Sequence, residues 1–180
     1  ISACLVGSEM CIRDRNGTVG LARVAPPPPP PPAAPGQADR LREALEPDLR
    51  SGRLGVLDDA QTVTLRFGGA ALFLPGSADV RPDVAALLRR VGAALGEQPG
   101  RLLVVGHTDS QAIHTLRFPS NYDLSLARAT AVAAMIRAAM RDPSRVSAEG
   151  RADTQPVASN ATEAGRQQNR RIDLLITKAS

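Results

Sequence analysis

Asp109 lies three residues beyond a short apolar run, Arg101–Gly106 (RLLVVG), in the sequence Gly106-His107-Thr108-Asp109. The turn past the carboxyl end of a strand is where open α/β sheets hold ligands, so Asp109 is a negative charge on a rigid support. Further on, Ser120 or Asn121 can cap a helix whose first turns carry Arg128. Near the C-terminus, GRQQNRRID (Gly165 to Asp173) carries Arg170 and Arg171 toward a last strand-like segment. Guanidinium groups bind carboxylates in a planar, bidentate fashion, and of the 22 basic residues all but Lys178 are Arg. Carboxylate recognition is therefore the chemistry these residues suit. A plainer reading fits the same residues: Asp109 and Arg128 as a structural ion pair, with Arg170 and Arg171 pairing to Asp173, Glu163 or Asp153.

Several function classes fall away. There is no phosphate-binding loop ending in Lys-Ser/Thr and no GxSxG elbow. Both cysteines, Cys4 and Cys11, precede the globular part, so a thiol nucleophile and a disulfide framework are not expected. His107 reads as a hydrogen-bonded turn residue and His114 as a loop residue, too few for a zinc site. No cofactor and no metal are expected, and catalysis is not expected either. Aromatic residues make up 2% of the chain, too few for stacking on bases. The net charge of +4 forms no Lys/Arg-rich stripe, so nucleic-acid binding is not expected. No stretch approaches the roughly 18 apolar residues that span a bilayer.

The elements that must position these side chains begin after a long non-globular start. Residues 1–25 read as a leader, artefactual or disordered. Residues 26–38 read as a linker in which Pro26–Pro32 is unbroken, a polyproline II spacer of roughly 30 Å over ten residues. The domain is expected over 39–180. Leu41, Leu45 and Leu49 predict one helix over Asp39–Arg50, with Pro47 inside it. Leu54–Leu57 and Thr62–Phe67 predict strands joined around Asp58-Asp59. Pro82–Leu95 predicts a helix with an apolar stripe at Val84, Leu87, Leu88, Val91 and Leu95. Arg101–Gly106 predicts a strand covered on both faces. Asn121–Asp142 predicts the longest helix, its core face at Leu124, Ala127, Ala131 and Met135. Val146–Glu149 predicts a strand, Thr162–Gln168 one or two helical turns, and Ile172-Leu174-Ile176 a final strand. The alternation describes an α/β βαβαβαβ sandwich, a mixed and mostly parallel sheet with helices packed on it.

Four blocks in order, GHTD, NYDLSLARA, SAEGRAD with Pro156 and Asn160, and GRQQNRRIDLLI, resemble the OmpA-like peptidoglycan-binding domain over about residues 62–178. Within that family, Gln111–Ser120 is an insertion between the GHTD turn and the following helix. That insertion, with LFLPGSADVRPD and GRADTQPVASNAT, resembles the periplasmic domain of TssL-type (DotU/OmpA family) type VI secretion proteins, with MotB-like stators next.

The resemblance implies a non-catalytic module that binds the diaminopimelate-containing stem peptide of peptidoglycan. Asp109 would take the ligand's ammonium and Arg128 its carboxylate. Asn121 and Arg170 would complete the pocket, and Gly76 would add backbone groups from the opposite wall. Phe118 and Tyr122 are read as packing residues that fix the insertion. Two departures stand out: LPGS (Leu74 to Ser77) where many relatives place an acidic residue, and an insertion that rims the pocket and narrows it. The implied setting is the periplasm, tethered to a bacterial membrane, inner membrane first, through a segment upstream of this sequence. Other secretion-complex or envelope proteins are the implied partners, and self-association is compatible with that setting. The alternatives are a vestigial site on a periplasmic docking module, a Pal-like lipoprotein or a MotB-like stator anchor.

Overall fold

The computed structural model describes residues 36–74 and 76–178. The leader and all but the last three residues of the proline linker lie outside the described residues. Two short helices open the fold, α1 (Gln37–Ala44) and α2 (Glu46–Arg50), where the leucine spacing predicts one. Pro47 has no amide hydrogen to donate and its ring crowds the preceding turn, so the helix breaks at Leu45 and Pro47 becomes an early residue of α2. Leu41 and Leu45 remain fully buried.

Among the described residues one five-stranded sheet forms from β1 (Leu54–Asp58), β2 (Thr62–Gly68), β3 (Leu102–Gly106), β4 (Val146–Gly150) and β5 (Arg171–Thr177). Its order is β1-β2-β5-β3-β4. The expectation of a mostly parallel sheet is corrected here: only β3 and β4 pair in parallel, and the other three pairings are antiparallel. The hairpin at Asp58–Thr62 forces the first antiparallel pair. The crossover through α3 (Gly69–Leu72) and α4 (Ala85–Gly96) does keep β2 and β3 pointing the same way, but β5 slots between them in the opposite direction, a split β-α-β arrangement. A short helix of about two turns, α6 (Glu163–Asn169), feeds β5 into that gap.

One face of the sheet carries the core. Val63, Leu65 and Phe67 of β2, Ile172, Leu174 and Ile176 of β5, and Leu102 and Val104 of β3 alternate onto it. They meet Leu88, Val91 and Leu95 of α4 and Val132, Ala133 and Ile136 of α5 (Asn121–Ala139). Each Leu- or Ile-sized side chain buried this way contributes about 1.5–3 kcal/mol relative to exposure. The core side of α5 is rotated from the expected one: Leu124, Ser125, Arg128, Ala129, Val132, Ala133 and Ile136 are buried, while Ala127, Ala131 and Met135 sit half-buried at its flank. Alanine occurs all round this helix, so apolar periodicity left its orientation open.

What sets α5 on the sheet is close backbone approach. A Cβ on Gly106, at the end of β3, would lie 2.1 Å from the Ser125 carbonyl oxygen, and one on Gly150, at the end of β4, 2.6 Å from Ser125 Oγ. Ser125 Oγ accepts from Ala152 N at 3.1 Å, locking the helix to the chain leaving β4. Replacing Gly106 with Ala should therefore cost about 1–3 kcal/mol or more in urea unfolding, the penalty for overpacking a rigid site. A change within about 0.5 kcal/mol, the range of ordinary surface substitutions, would contradict this packing.

Candidate ligand-binding site

The carboxyl ends of β2 and β3 and the start of β5 meet at one end of the sheet, and a cavity of about 640 Å³ opens there. Asp109, Arg128, Asn121, Arg170 and Gly76 all line it, so the structure brings the five sequence-derived residues together. Asp109 is buried and doubly held: Oδ1 accepts from Gln111 N at 3.1 Å and Oδ2 from Arg170 Nη1 at 2.5 Å. Arg170 also donates from Nη2 to Glu163 Oε1 at 2.5 Å, and these two carboxylates hold its pKa above the usual arginine value, Glu163 foremost. Its own carbonyl accepts from Gly69 N at 2.6 Å, an approach that leaves no room for a Cβ at Gly69.

Arg128 is placed differently. It is only 7% exposed, yet no ion pair joins it to Asp109; the pair that the plainer reading assigned to Arg128 is made by Arg170 instead. Arg128 Nε donates to the Ser77 carbonyl at 2.8 Å, its only side-chain hydrogen bond among the described residues. Its guanidinium stacks over Phe73 at 5.2 Å from the ring centroid. Burial lowers its pKa from the usual value, the nearby Arg170 adds to that, and Asp109 only partly offsets it. A buried cation with a carbonyl and a ring for company, bordering an open cavity, has hydrogen-bonding capacity left for an anion.

The remaining residues act on the frame. Asn121 spends its amide on backbone: Nδ2 donates to the carbonyls of Asp109 (3.3 Å) and Gln111 (3.0 Å), and Oδ1 accepts from Ile113 N (3.2 Å). It staples the strand-end turn to the insertion, while Ser120 caps α5 by accepting from Asp123 N. Gly76 adopts φ +67, a left-handed turn that favours glycine. The LPGS wall offers the Ser77 carbonyl rather than a carboxylate. Phe118 is buried against Ala78 and Leu124, as a packing residue should be; Tyr122 is 52% exposed and is not part of that cluster, correcting the expectation for it. Sequence reading missed Phe73, Ser77 and Gly69 as parts of this site. The signal for Gly69 was present in the paired glycines ending β2, but nothing local marks a carbonyl as an arginine's partner.

The OmpA family profile matches residues 72–170, over half of the sequence and the whole span from the Ser77 wall to Arg170. The chain belongs to the OmpA family. The solved cell wall anchor of the T6SS from Pseudomonas aeruginosa is 41% identical, with a TM-score of 0.74, covering 79% of this chain and 99% of that one. Protein YtxE of Bacillus subtilis is 39% identical over 122 residues, 67% of this chain and 50% of that protein. Motility protein B of the same organism is 36% identical over 106 residues, 58% of this chain and 41% of that protein. The OmpA-family chain thus spans about half the length of the curated relatives it matches. The T6SS anchor and motility protein B fall in the two branches that its insertion and LPGS segment resemble.

On the opposite face of this OmpA-family sheet lies a second charged cluster. Asp173 accepts two hydrogen bonds from Arg66 on the neighbouring strand (2.8 and 3.0 Å) and one from Arg171 Nε (2.9 Å). Burial alone would raise the Asp173 pKa, but the two guanidiniums outweigh it and hold it below the carboxylate value. His107 is 3% exposed beside this pair, its Nε2 3.8 Å from Asp173 Oδ2 and its Nδ1 without a partner among the described residues. The turn bond expected of it is made by its backbone N, which donates to the Arg171 carbonyl at 2.9 Å. Burial, then Arg171, push its pKa from 6.5 down to about 4.

Above pH 6.5 the imidazole is neutral in both folded and unfolded chains. As pH falls toward 4 the unfolded chain takes up a proton that the folded one refuses, so stability declines by up to about 3 kcal/mol and then levels. His107→Gln should flatten this part of the stability-versus-pH curve in chemical denaturation; parallel curves for wild type and variant would contradict the burial.

Proposed function

We propose that this domain binds the diaminopimelate-containing stem peptide of peptidoglycan without catalysis and so anchors a cell-envelope complex to the cell wall. The observation that carries this reading is Arg128: a buried guanidinium, bonded among the described residues only to the Ser77 carbonyl, that borders a cavity of ligand size. The free end of diaminopimelate carries an ammonium and a carboxylate on one carbon. Its carboxylate would occupy the open guanidinium edge of Arg128, and its ammonium would share Asp109, whose oxygens retain acceptor capacity beyond their present bonds. Arg170 would hold Asp109 in place, and the apolar wall of Phe73, Leu74 and Ile113 suits the ligand's methylene chain. A stem peptide ending in lysine has no carboxylate there and would leave Arg128 uncompensated.

The likeness to a T6SS cell wall anchor that is covered almost end to end supports a type VI secretion membrane complex as the structure being anchored. In that setting the domain lies in the periplasm, tethered to a bacterial membrane, with the inner membrane the fitting side, and other envelope proteins of the complex are its neighbours. A second reading, docking of a periplasmic protein through the insertion, is favoured by one observation: the Leu116 side chain stands wholly exposed at the insertion's tip.

The full chain should co-sediment with diaminopimelate-type sacculi and not with lysine-type sacculi. Arg128→Ala and Asp109→Ala should each weaken this by roughly 30-fold or more, the cost of about 2–5 kcal/mol for truncating one partner of a desolvated charge pair, with melting curves that remain cooperative. Leu116→Ser should leave it unchanged. Retention that survives Arg128→Ala, or that fails only in Leu116→Ser, would overturn this reading in favour of docking.

A further inference from the structure

The Gln111–Ser120 insertion touches the opposite wall of the cavity through two adjacent residues. Arg117 donates from Nη1 and Nη2 to the two oxygens of Asp79, at 2.9 and 3.0 Å, and its guanidinium lies 5.3 Å from the centroid of the Phe118 ring. Phe118 itself is buried against Ala78, the residue before Asp79. Asp79 is in turn bonded to Ser77: Ser77 Oγ donates to Asp79 Oδ2 at 2.7 Å, and Asp79 N donates to Ser77 Oγ at 2.9 Å. The carbonyl of that same Ser77 is the acceptor for Arg128 Nε.

We propose that the insertion is a brace that aims Arg128. Arg117 and Phe118 fix Asp79 and Ala78, these fix the Ser77 turn, and the Ser77 carbonyl sets the direction in which the Arg128 guanidinium presents its free edge. Arg117 and Asp79 are thus positioning residues for ligand binding, outside the cavity and without contact to the ligand. The insertion, read from sequence as a rim that narrows the pocket, acts here through the wall that it holds. The turn following Gly76 is closed locally by Ser77 N donating to the Leu74 carbonyl at 3.1 Å and by the Phe73–Val80 bridge, and among the described residues Arg117 is the partner that reaches exposed Asp79 from the insertion. The inference rests on the stem-peptide reading of the cavity.

The test uses the full chain and a soluble stem tripeptide ending in diaminopimelate, with two measurements on each variant: the dissociation constant by calorimetry, and the NMR signal of the Arg128 Nε–H group. Arg117→Ala and Asp79→Ala should each weaken binding about three- to fivefold, the scale of one exposed, well-formed ion pair. Both should also move the Arg128 Nε–H signal toward that of a solvent-exposed arginine. Arg117 and Asp79 are surface residues, so melting temperature should hold. Weakened binding with an unmoved Arg128 signal would overturn the brace, as would a moved signal with unchanged affinity or no change in either. If the wild-type chain fails to bind the tripeptide at all, the stem-peptide reading itself is overturned, and the brace as a device for binding goes with it.

Discussion

The first turns of α5 rest on the carboxyl ends of β3 and β4 with only the small Ser125 side chain between them, and the geometry of the cavity depends on that contact. Gly106 and Gly150 make it possible, because a Cβ at either would overlap Ser125. With α5 seated there, Arg128 projects into the cavity one turn past Ser125, and Asp109 reaches the same space three residues past Gly106. Ser120 caps the helix and Asn121 staples its start to the turn that holds Asp109. A helix standing off by the width of one methyl group would separate the anionic and cationic halves of the site.

Two arginine–aspartate clusters flank the sheet, and they differ in what they leave unsatisfied. Arg170 and Arg171 are consecutive, so at the entry to β5 their side chains leave on opposite faces. On one face Arg171 joins Arg66 around Asp173, and that carboxylate is fully engaged by the protein. On the other, Arg170 holds Asp109 while Arg128 keeps a buried positive charge with no carboxylate paired to it among the described residues. An ion pair that completes itself is a structural element; a buried cation that does not is costly to keep, and functional clefts are where such perturbed groups concentrate. The contrast within one sheet is what supports reading Arg128 as the proposed ligand's partner.

Much of this was legible in the sequence where the signal was local. RLLVVG is typical of a covered strand, and the motif blocks with the LPGS segment pointed to Asp109, Arg128, Asn121, Arg170 and Gly76, which do converge on one cavity. What could not be read were facts of long range or of backbone. Strand order depends on where β5 inserts, and nothing in Ile172-Leu174-Ile176 says that it runs antiparallel between β2 and β3. The partner of Asp109 lies 61 positions away and the partner of Arg128 51 positions away, the latter a carbonyl with no side-chain signature. The face of α5 was misjudged because alanine marks no side of a helix, and Pro47 broke a helix whose leucine spacing alone would carry on.

The proposed wall-binding role fits the demand on an anchor, which must grip a fixed lattice without chemical turnover. Its grip would come from charge pairing in a desolvated pocket rather than from stacking, in keeping with a chain that has many arginines and few rings. The most direct measurement is a crystal structure of the protein with a stem tripeptide ending in diaminopimelate. The account predicts the terminal carboxylate on the free edge of the Arg128 guanidinium and the ammonium on Asp109, with the Ser77 carbonyl bond to Arg128 retained. A tripeptide bound elsewhere, or bound in this cavity with its carboxylate away from Arg128, would contradict it.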